Sequence, residues 1–592
     1  MYPPPDPNQT ILEKLRKNPR LLIVWPALLL LFLATGVFIL ALNFPDRPES
    51  APLMAVAVVV AIFAVGVLVL VFVVRWLVQK HLRATLITLA SLVVLALLFY
   101  AEEDWRGRRD WKNFTQQHEA KGEKLDLASF VPPTVPDDQN FAMTPIVASS
   151  YAFMLDKNGH ELKPHNNNIV NRLSMHLDRE SNLTRPGDGD WTAGTFTDLR
   201  PWQAYYQQAH ILTNAPGPVE TNESANMKVA ATDVLLALQR YDSDIEELRQ
   251  AATLPHSRFP LQYDNDDPSQ ILLPHLGALR TASGVLQLRA LAELQMGQSD
   301  KAAGDIQLIL RLAEASRNEP FLISHFVRMV IVNDARQTIY EGLANHQFSD
   351  AQLAALDSQL AQLDFLADYQ QVMRSEAVLV ARMIDNVRRT HQFDWYMNTF
   401  RTASPPEQKI IDGACMIAPG GWFQQNKLGF SKFYLEDCLP LVDMEHRSVS
   451  PKAVDAAEAK LWNDLHPPNP YNVLQGLFLL PTGRFMGDKY VPTERFVYAQ
   501  ECADLTRVAI ALERYRLAHG QYPNTLAELA PQFLAKVPHD IIGGGSLKYH
   551  SVGQNFILYS IGWNGIDDGG LRDSLKEAQP VSTRGDWVWQ YP

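Results

Sequence analysis

Apolar residues fill the start of the chain in unbroken blocks and only later fall into periodic patterns. Leu21–Asn43 is an almost continuous apolar run, Pro52–Val74 is a second and Ala84–Tyr100 is a third. Crossing a bilayer takes ~20 such residues in helical form, so the first two are long enough and the third stands at the short end of the range. Three runs in succession favour membrane crossings over buried core helices, because a helix satisfies its own backbone hydrogen bonds inside lipid. No small-residue cleavage site follows a short apolar core, so the first run predicts an anchor and not a removed signal peptide.

Residues 101–150 predict a stalk or linker. Trp105 and Trp111 suit the membrane interface, where an indole keeps its ring apolar and its N–H wet. Beyond them FVPPTVPDDQNF is too rich in proline for a helix and reads as an extended linker or as a segment draped over the next domain. Residues 151–400 predict a mainly helical domain. Asn166–Arg200 is polar and leaves its structure open. Helical spacing then recurs over Met227–Ala252, Leu276–Met296, Lys301–Ala315, Pro320–Ala344, Asp350–Leu363 and Ala367–His391, with short connections that favour antiparallel neighbours. Residues 401–490 lose the periodicity and predict a loop-rich insertion.

In residues 491–592, Tyr498, Cys502, Leu505, Val508, Leu512 and Tyr515 recur at three-and-four spacing and predict one apolar helix face over roughly seven turns. Gly520 and Pro523 supply a double stop. Thr525-x-x-Glu528 is a capping-box pattern that starts a short second helix. Ser546–Ser551 and Asn555–Ile561 alternate and predict a β-hairpin joined near Gly553. Helix, short helix, hairpin and a Gly/Asp-rich tail make a small α+β unit.

This order of parts, with YRLAHGQYP, KVPHD, LKYH, ILYSIGWNG and DDGG in sequence, resembles the C-terminal domain of the major pseudopilins of type II secretion systems. In that family the loop after the hairpin binds calcium through acidic side chains and backbone carbonyls, and the resemblance places Asn564, Asp567, Asp568 and Asp586 at or near those positions. Oxygen ligands of this kind suit a hard cation, which makes calcium the candidate cofactor, against hydrated turn aspartates as the alternative. Asn564 stands where the family usually has aspartate. A pseudopilin also begins with a leader and a single fibre-forming helix, whereas here the matching helix starts near residue 494, behind three predicted crossings. The resemblance therefore implies a reused terminal module and not a fibre subunit. One further stretch, LRALAELQMGQSDKAAGDIQLILRLAEA, resembles a single tetratricopeptide repeat, with Ala292, Gly297, Ala302 and Leu312 at its small, turn and packing positions; an irregular helical domain fits it equally.

Charge sets the orientation. Lys14, Arg16, Lys17 and Arg20 make residues 1–20 a basic tail, and Arg75, Lys80 and Arg83 make the second connection basic. The positive-inside rule puts both in the cytoplasm and everything after Tyr100 outside it, with Arg106, Arg108, Arg109 and Lys112 pulling the other way. A net charge of -12 argues against nucleic acid as a partner. Of the three cysteines, Cys415 and Cys438 either pair or are two buried thiols, and Cys502 reads as a core residue. Zinc-protease, nucleophile-elbow, phosphate-loop and dinucleotide motifs do not occur. His160, Glu161 and His165 read as a solvated loop, and the acidic cluster 264–267 as a solvated turn.

The sequence thus predicts a multi-domain protein of the bacterial inner membrane, multi-pass, with its N-terminus cytoplasmic and its bulk extracytoplasmic. It has three N-terminal transmembrane helices, a mainly α-helical extracytoplasmic domain and a small α+β pseudopilin-like C-terminal domain. Its expected role is a scaffold or protein-interaction protein of the cell envelope, with lipid and an envelope protein as partners. The alternative is an envelope hydrolase whose site is assembled from distant residues.

Overall fold

The structure, a computed structural model, describes residues 82–151, 153–155, 161–164, 171–177, 183–212, 223–390, 416–465, 491–553, 555–571 and 585–591, together with Gly66 and Gly413. The run Leu21–Asn43 and, Gly66 apart, the run Pro52–Val74, with Cys415, His160 and His165, lie outside these residues. The main helices are α1 (Leu82–Ala120), α2 (Leu199–Gln208), α3 (Glu223–Leu238), α4 (Asp242–Ala252), α5 (Pro274–Gln295) and α6 (Ser299–Glu314). They continue with α7 (Leu322–Ala344), α8 (Asp350–Leu360), α9 (Phe365–Thr390), α10 (Gly420–Lys432), α11 (Pro451–Leu465) and α12 (Thr493–His519). Strands β1 (Phe153–Leu155) and β2 (Glu161–Pro164) pair, as do β3 (Val442–Asp443) and β4 (Ser448–Val449), while β5 (Lys548–Val552), β6 (Asn555–Ser560) and β7 (Trp587–Gln590) form an antiparallel sheet in that order. The chain divides into two compact units, residues 1–117, 384–429 and 460–488, and residues 118–383, 430–459 and 489–592.

The first unit is built on α1. Leu92, Leu95, Leu97 and Leu98, from the third apolar run, stand 46–65% exposed. Leu86–Ala120 has the length and composition to cross a membrane, so one candidate span is seen among the described residues where the sequence predicts three. The helix does not end in a stalk at residue 101. It continues because Arg106 pairs with Glu102 (3.7 Å) and Glu103 (2.6 Å), and Arg108 with Asp104 (3.9 Å), all at helical spacing. Helix α10 begins against this stretch. Asp104 Oδ1 accepts the Gly421 N–H (2.7 Å), and Glu103 accepts from Trp422 Nε1 (3.2 Å). The part of residues 401–490 that is described is thus less loop-rich than its composition predicts, with α10, α11 and the β3–β4 pair inside it.

The second unit is the helical body. Five predicted helices appear as α5 to α9 with ends shifted by a few residues, and Met227–Ala252 divides into α3 and α4 at a 3₁₀ turn, Gln239–Tyr241. Helices α5 and α6 pack together, Ala290, Ala292, Ala302 and Ala303 are buried, and Gly297 takes the left-handed conformation (φ 71°) that the tight turn between them requires. The proline-rich segment drapes over this body: Phe141, Ala142, Ile146 and Val147 are fully buried, and Asn140 holds Arg258 through both backbone N–H (2.8 Å) and C=O (2.8 Å).

Helix α12 buries far more than the one predicted apolar face. Glu494, Gln500, Glu501, Thr506 and Glu513 are buried beside Leu505, Val508 and Leu512. Each polar residue named here that needs a partner finds one: Gln500 Oε1 accepts the Phe365 N–H (2.7 Å), Glu501 the Ile541 N–H (2.9 Å), and Glu513 the Tyr522 hydroxyl (3.1 Å). Arg507–Asp357 (2.8 Å) and Arg514–Asp350 (2.7 Å) tie it to α8. Gly520 closes the helix at φ 79°, and Thr525 and Glu528 form the capping box of a 3₁₀ turn, Leu526–Leu529. The hairpin turns at Gly553, and β7 completes the sheet with Trp589 against Tyr340 of α7 (5.3 Å between rings). The described part of residues 491–592 therefore shares the core of the helical body. Cys438 and Cys502 are free, buried thiols.

Candidate functional site

The second unit carries a cleft of about 530 Å³. Its wall on one side is Pro132–Pro133, pinned by the Arg258 Nε–H on the Pro132 carbonyl (2.9 Å). The C-terminal turns of α6 and α8 contribute Arg311, Glu314, Gln359 and Gln362, and the first turns of α9 contribute Asp368 and Gln371.

An alternating chain of charges lies beneath. The Arg328 guanidinium, fully buried on α7, donates to both Asp368 and Glu314 and lies 4.8 Å over the Phe365 ring. Arg317 reaches Glu314 (3.4 Å) and Asp368 (3.9 Å) from the rim. Burial alone would raise the Asp368 carboxyl, but the facing His325 and the Arg328 and Arg317 charges hold it below its ordinary value. Burial depresses the Arg311 guanidinium, which donates to the Ala252 (3.2 Å) and Leu254 (2.8 Å) carbonyls. Two polar atoms of the lining, Gln359 Oε1 and Ser257 Oγ, are buried without a hydrogen-bond partner. The carboxylates of the cleft, committed to guanidinium groups, are poorly set to take up protons.

The four residues predicted as calcium ligands come together after β6. Asn564 Nδ2 donates to Asp568 (2.8 Å), and Asp586 accepts the N–H groups of Gly570 (2.7 Å) and Asp568 (3.2 Å). Asp567 accepts from Gly569 N–H (3.1 Å) and Tyr559 hydroxyl (3.1 Å) and pairs with Lys548 (3.3 Å). The Gly569 N–H is the main reason its carboxyl sits below the ordinary value, whereas burial raises Asp586. Their oxygens thus face N–H and O–H donors, and among the described residues no group of three or more His, Cys, Asp or Glu side chains is set to hold an ion.

Sequence reasoning missed the cleft and the buried carboxylate of Asp540. Asp540 accepts the Ile542 (2.9 Å) and Ile561 (2.9 Å) N–H groups and the Ser560 hydroxyl (3.1 Å), joining the glycine-rich turn to the end of β6. The chain matches no family model, no curated protein and no solved structure.

Proposed function

We propose that the chain is a membrane-anchored scaffold or protein-interaction protein of a bacterial cell envelope, with its bulk outside the cytoplasm. Helix α1 carries this reading. Its start, Leu86 to Tyr100, offers apolar side chains to its surroundings, and its later residues Glu103, Gly107 and Phe114 are packed against protein. A helix apolar all round at one end and packed at the other suits an anchor continuous with a folded body.

The cleft is the docking site in this reading. A docked polar segment would meet the polar lining side chains Arg317, Gln362 and Gln371. The pseudopilin-like order of parts in residues 491–592 adds a link to secretion. An envelope hydrolase has less support, since Glu314 and Asp368 are already bound to Arg328.

Photocrosslinking from native membranes tests the proposal on the full chain. A crosslinker at Gln362, in the cleft, should give a discrete protein adduct that the same group at Lys301, exposed on α6, does not give. Equal, diffuse labelling at both positions would sink the docking reading.

A further inference from the structure

Met416 and Ile417 are 65% and 68% exposed, among the most exposed large apolar side chains described in the molecule. They stand just ahead of α10, and their position is fixed from three sides. The Tyr100 hydroxyl donates to the Ile417 carbonyl. Asp104 caps the first turn of α10 at Gly421 (2.7 Å). Gly107 and Gly421 then bring α1 and α10 into backbone contact: a Cβ added at Gly421 would stand 2.0 Å from the Glu103 carbonyl oxygen, and one added at Gly107 would stand 2.5 Å from that of Gly421.

The place to which they are fixed matters. Tyr100 is the last residue of the apolar run; Leu97, Leu98 and Phe99 before it are 65%, 60% and 48% exposed, and the charged residues begin at Glu102. Trp105, 58% exposed with the Arg109 guanidinium 4.7 Å over its ring, marks the same level one turn on. Tyrosine and tryptophan at such a junction sit at the headgroup level of a bilayer. Two exposed apolar side chains held beside Tyr100 are therefore at the depth where acyl chains begin.

We infer that Met416–Ile417 is a second membrane contact, a short apolar tip that enters the lipid boundary beside the exit of α1. This rests on the membrane reading of α1 and adds to it. Lipid is the occupant because the tip is continuous with the lipid-facing surface of α1 and lies on its apolar side of the Glu102–Arg109 charges.

The test uses full-length protein in phosphatidylethanolamine/phosphatidylglycerol nanodiscs, with Cys415→Ser to remove the neighbouring thiol and a nitroxide on Ile417→Cys. Leu92→Cys and Lys301→Cys are the references for lipid and water. Relaxation by oxygen relative to a water-soluble nickel chelate should rise at position 417 above the Lys301→Cys value, toward that of Leu92→Cys, and Met416→Cys should repeat it. A water-like ratio at 417 with a lipid-like ratio at 92 overturns the second contact alone. Water-like ratios at both overturn the membrane reading itself. Protection of 417 from both reagents means that a protein surface, such as a second copy of the chain, covers the tip, and overturns the lipid assignment.

Discussion

Glu501 shows how much a single buried group can set. It lies on α12 with one carboxylate oxygen on the Ile541 N–H (2.9 Å) and the other without a partner. Burial first, then the like charges of Asp540 and Asp504, push its carboxyl well above the ordinary value. A folded-state value above the unfolded one means that the fold prefers the protonated group. Its favourable contribution is complete below the ordinary glutamate range and is lost as pH rises through the raised value. Glu501→Gln keeps an acceptor for Ile541 and never ionises, so its melting temperature relative to wild type should climb between pH 4 and pH 8; a difference that is flat or falls with pH contradicts this assignment. The calcium reading is tested at the same scale. An ion would have to displace Lys548 and the N–H donors from Asp567, Asp568 and Asp586. If it does, calcium at about 100 times its dissociation constant adds about 2.7 kcal/mol to the stability of the full chain, and Asp568→Asn removes the gain. An unchanged melting temperature at millimolar calcium discards the site. These groups were unequally legible. Arg328 was detectable as an ionisable residue inside FLISHFVRMVIV, which must find partners. Its partners lie 14 and 40 residues away on other helices, and one sequence holds no signal for that choice.

The elements were legible where one period governs them. Leu276–Met296 and Lys301–Ala315 were predicted nearly to the residue because their core faces repeat at helical spacing, and the Gly520 stop and Thr525–Glu528 box were readable because caps are local chemistry. Strand β7 escaped: WVWQ is four residues long, and three of them are buried, so it lacks the alternation of a half-exposed strand. Helix α12 was predicted from one apolar face, whereas Glu494, Gln500, Glu501 and Glu513 are buried as well. Helix–helix contact by bare backbone is another feature that composition hides, because a glycine pair reads as a loop. The Gly107–Gly421 approach gives a prediction at this scale. Gly421→Ala places a methyl on the Glu103 carbonyl with no flexible side chain to give way, and overpacking of this kind typically costs ~1–3 kcal/mol, sometimes more. Limited proteolysis of the full chain should cut faster within residues 413–432 in this variant, while cleavage between α5 and α9 stays unchanged. Wild-type protection at 413–432 would show that α1 and α10 do not need the close contact.

At the scale of the whole molecule, the sequence divides the chain into anchor, helical domain and terminal module. The anchor is legible from hydropathy, and its third run is helical and exposed. The terminal module is a unit of sequence more than of packing, since α12 is enclosed by α7 and α8, and the Tyr340 hydroxyl donates to the Gln590 carbonyl (2.8 Å). Placing that body on one side of a membrane depends on the number of crossings ahead of it. Residues 1–20 and the segment with Arg75, Lys80 and Arg83 are both basic, and the proposed reading keeps both in the cytoplasm, with an odd number of crossings before residue 101. The opposing cluster Arg106, Arg108 and Arg109 pairs with Glu103, Asp104 and Asp110 at 2.6, 3.9 and 3.1 Å. Reporter fusions at Tyr2 and Pro592 should therefore report opposite sides, the first active only in the cytoplasm and the second only outside it. Fusions on the same side would require an even number of crossings. That would overturn the three-crossing reading, and the nanodisc ratio at Leu92→Cys then decides whether α1 is among the crossings that remain.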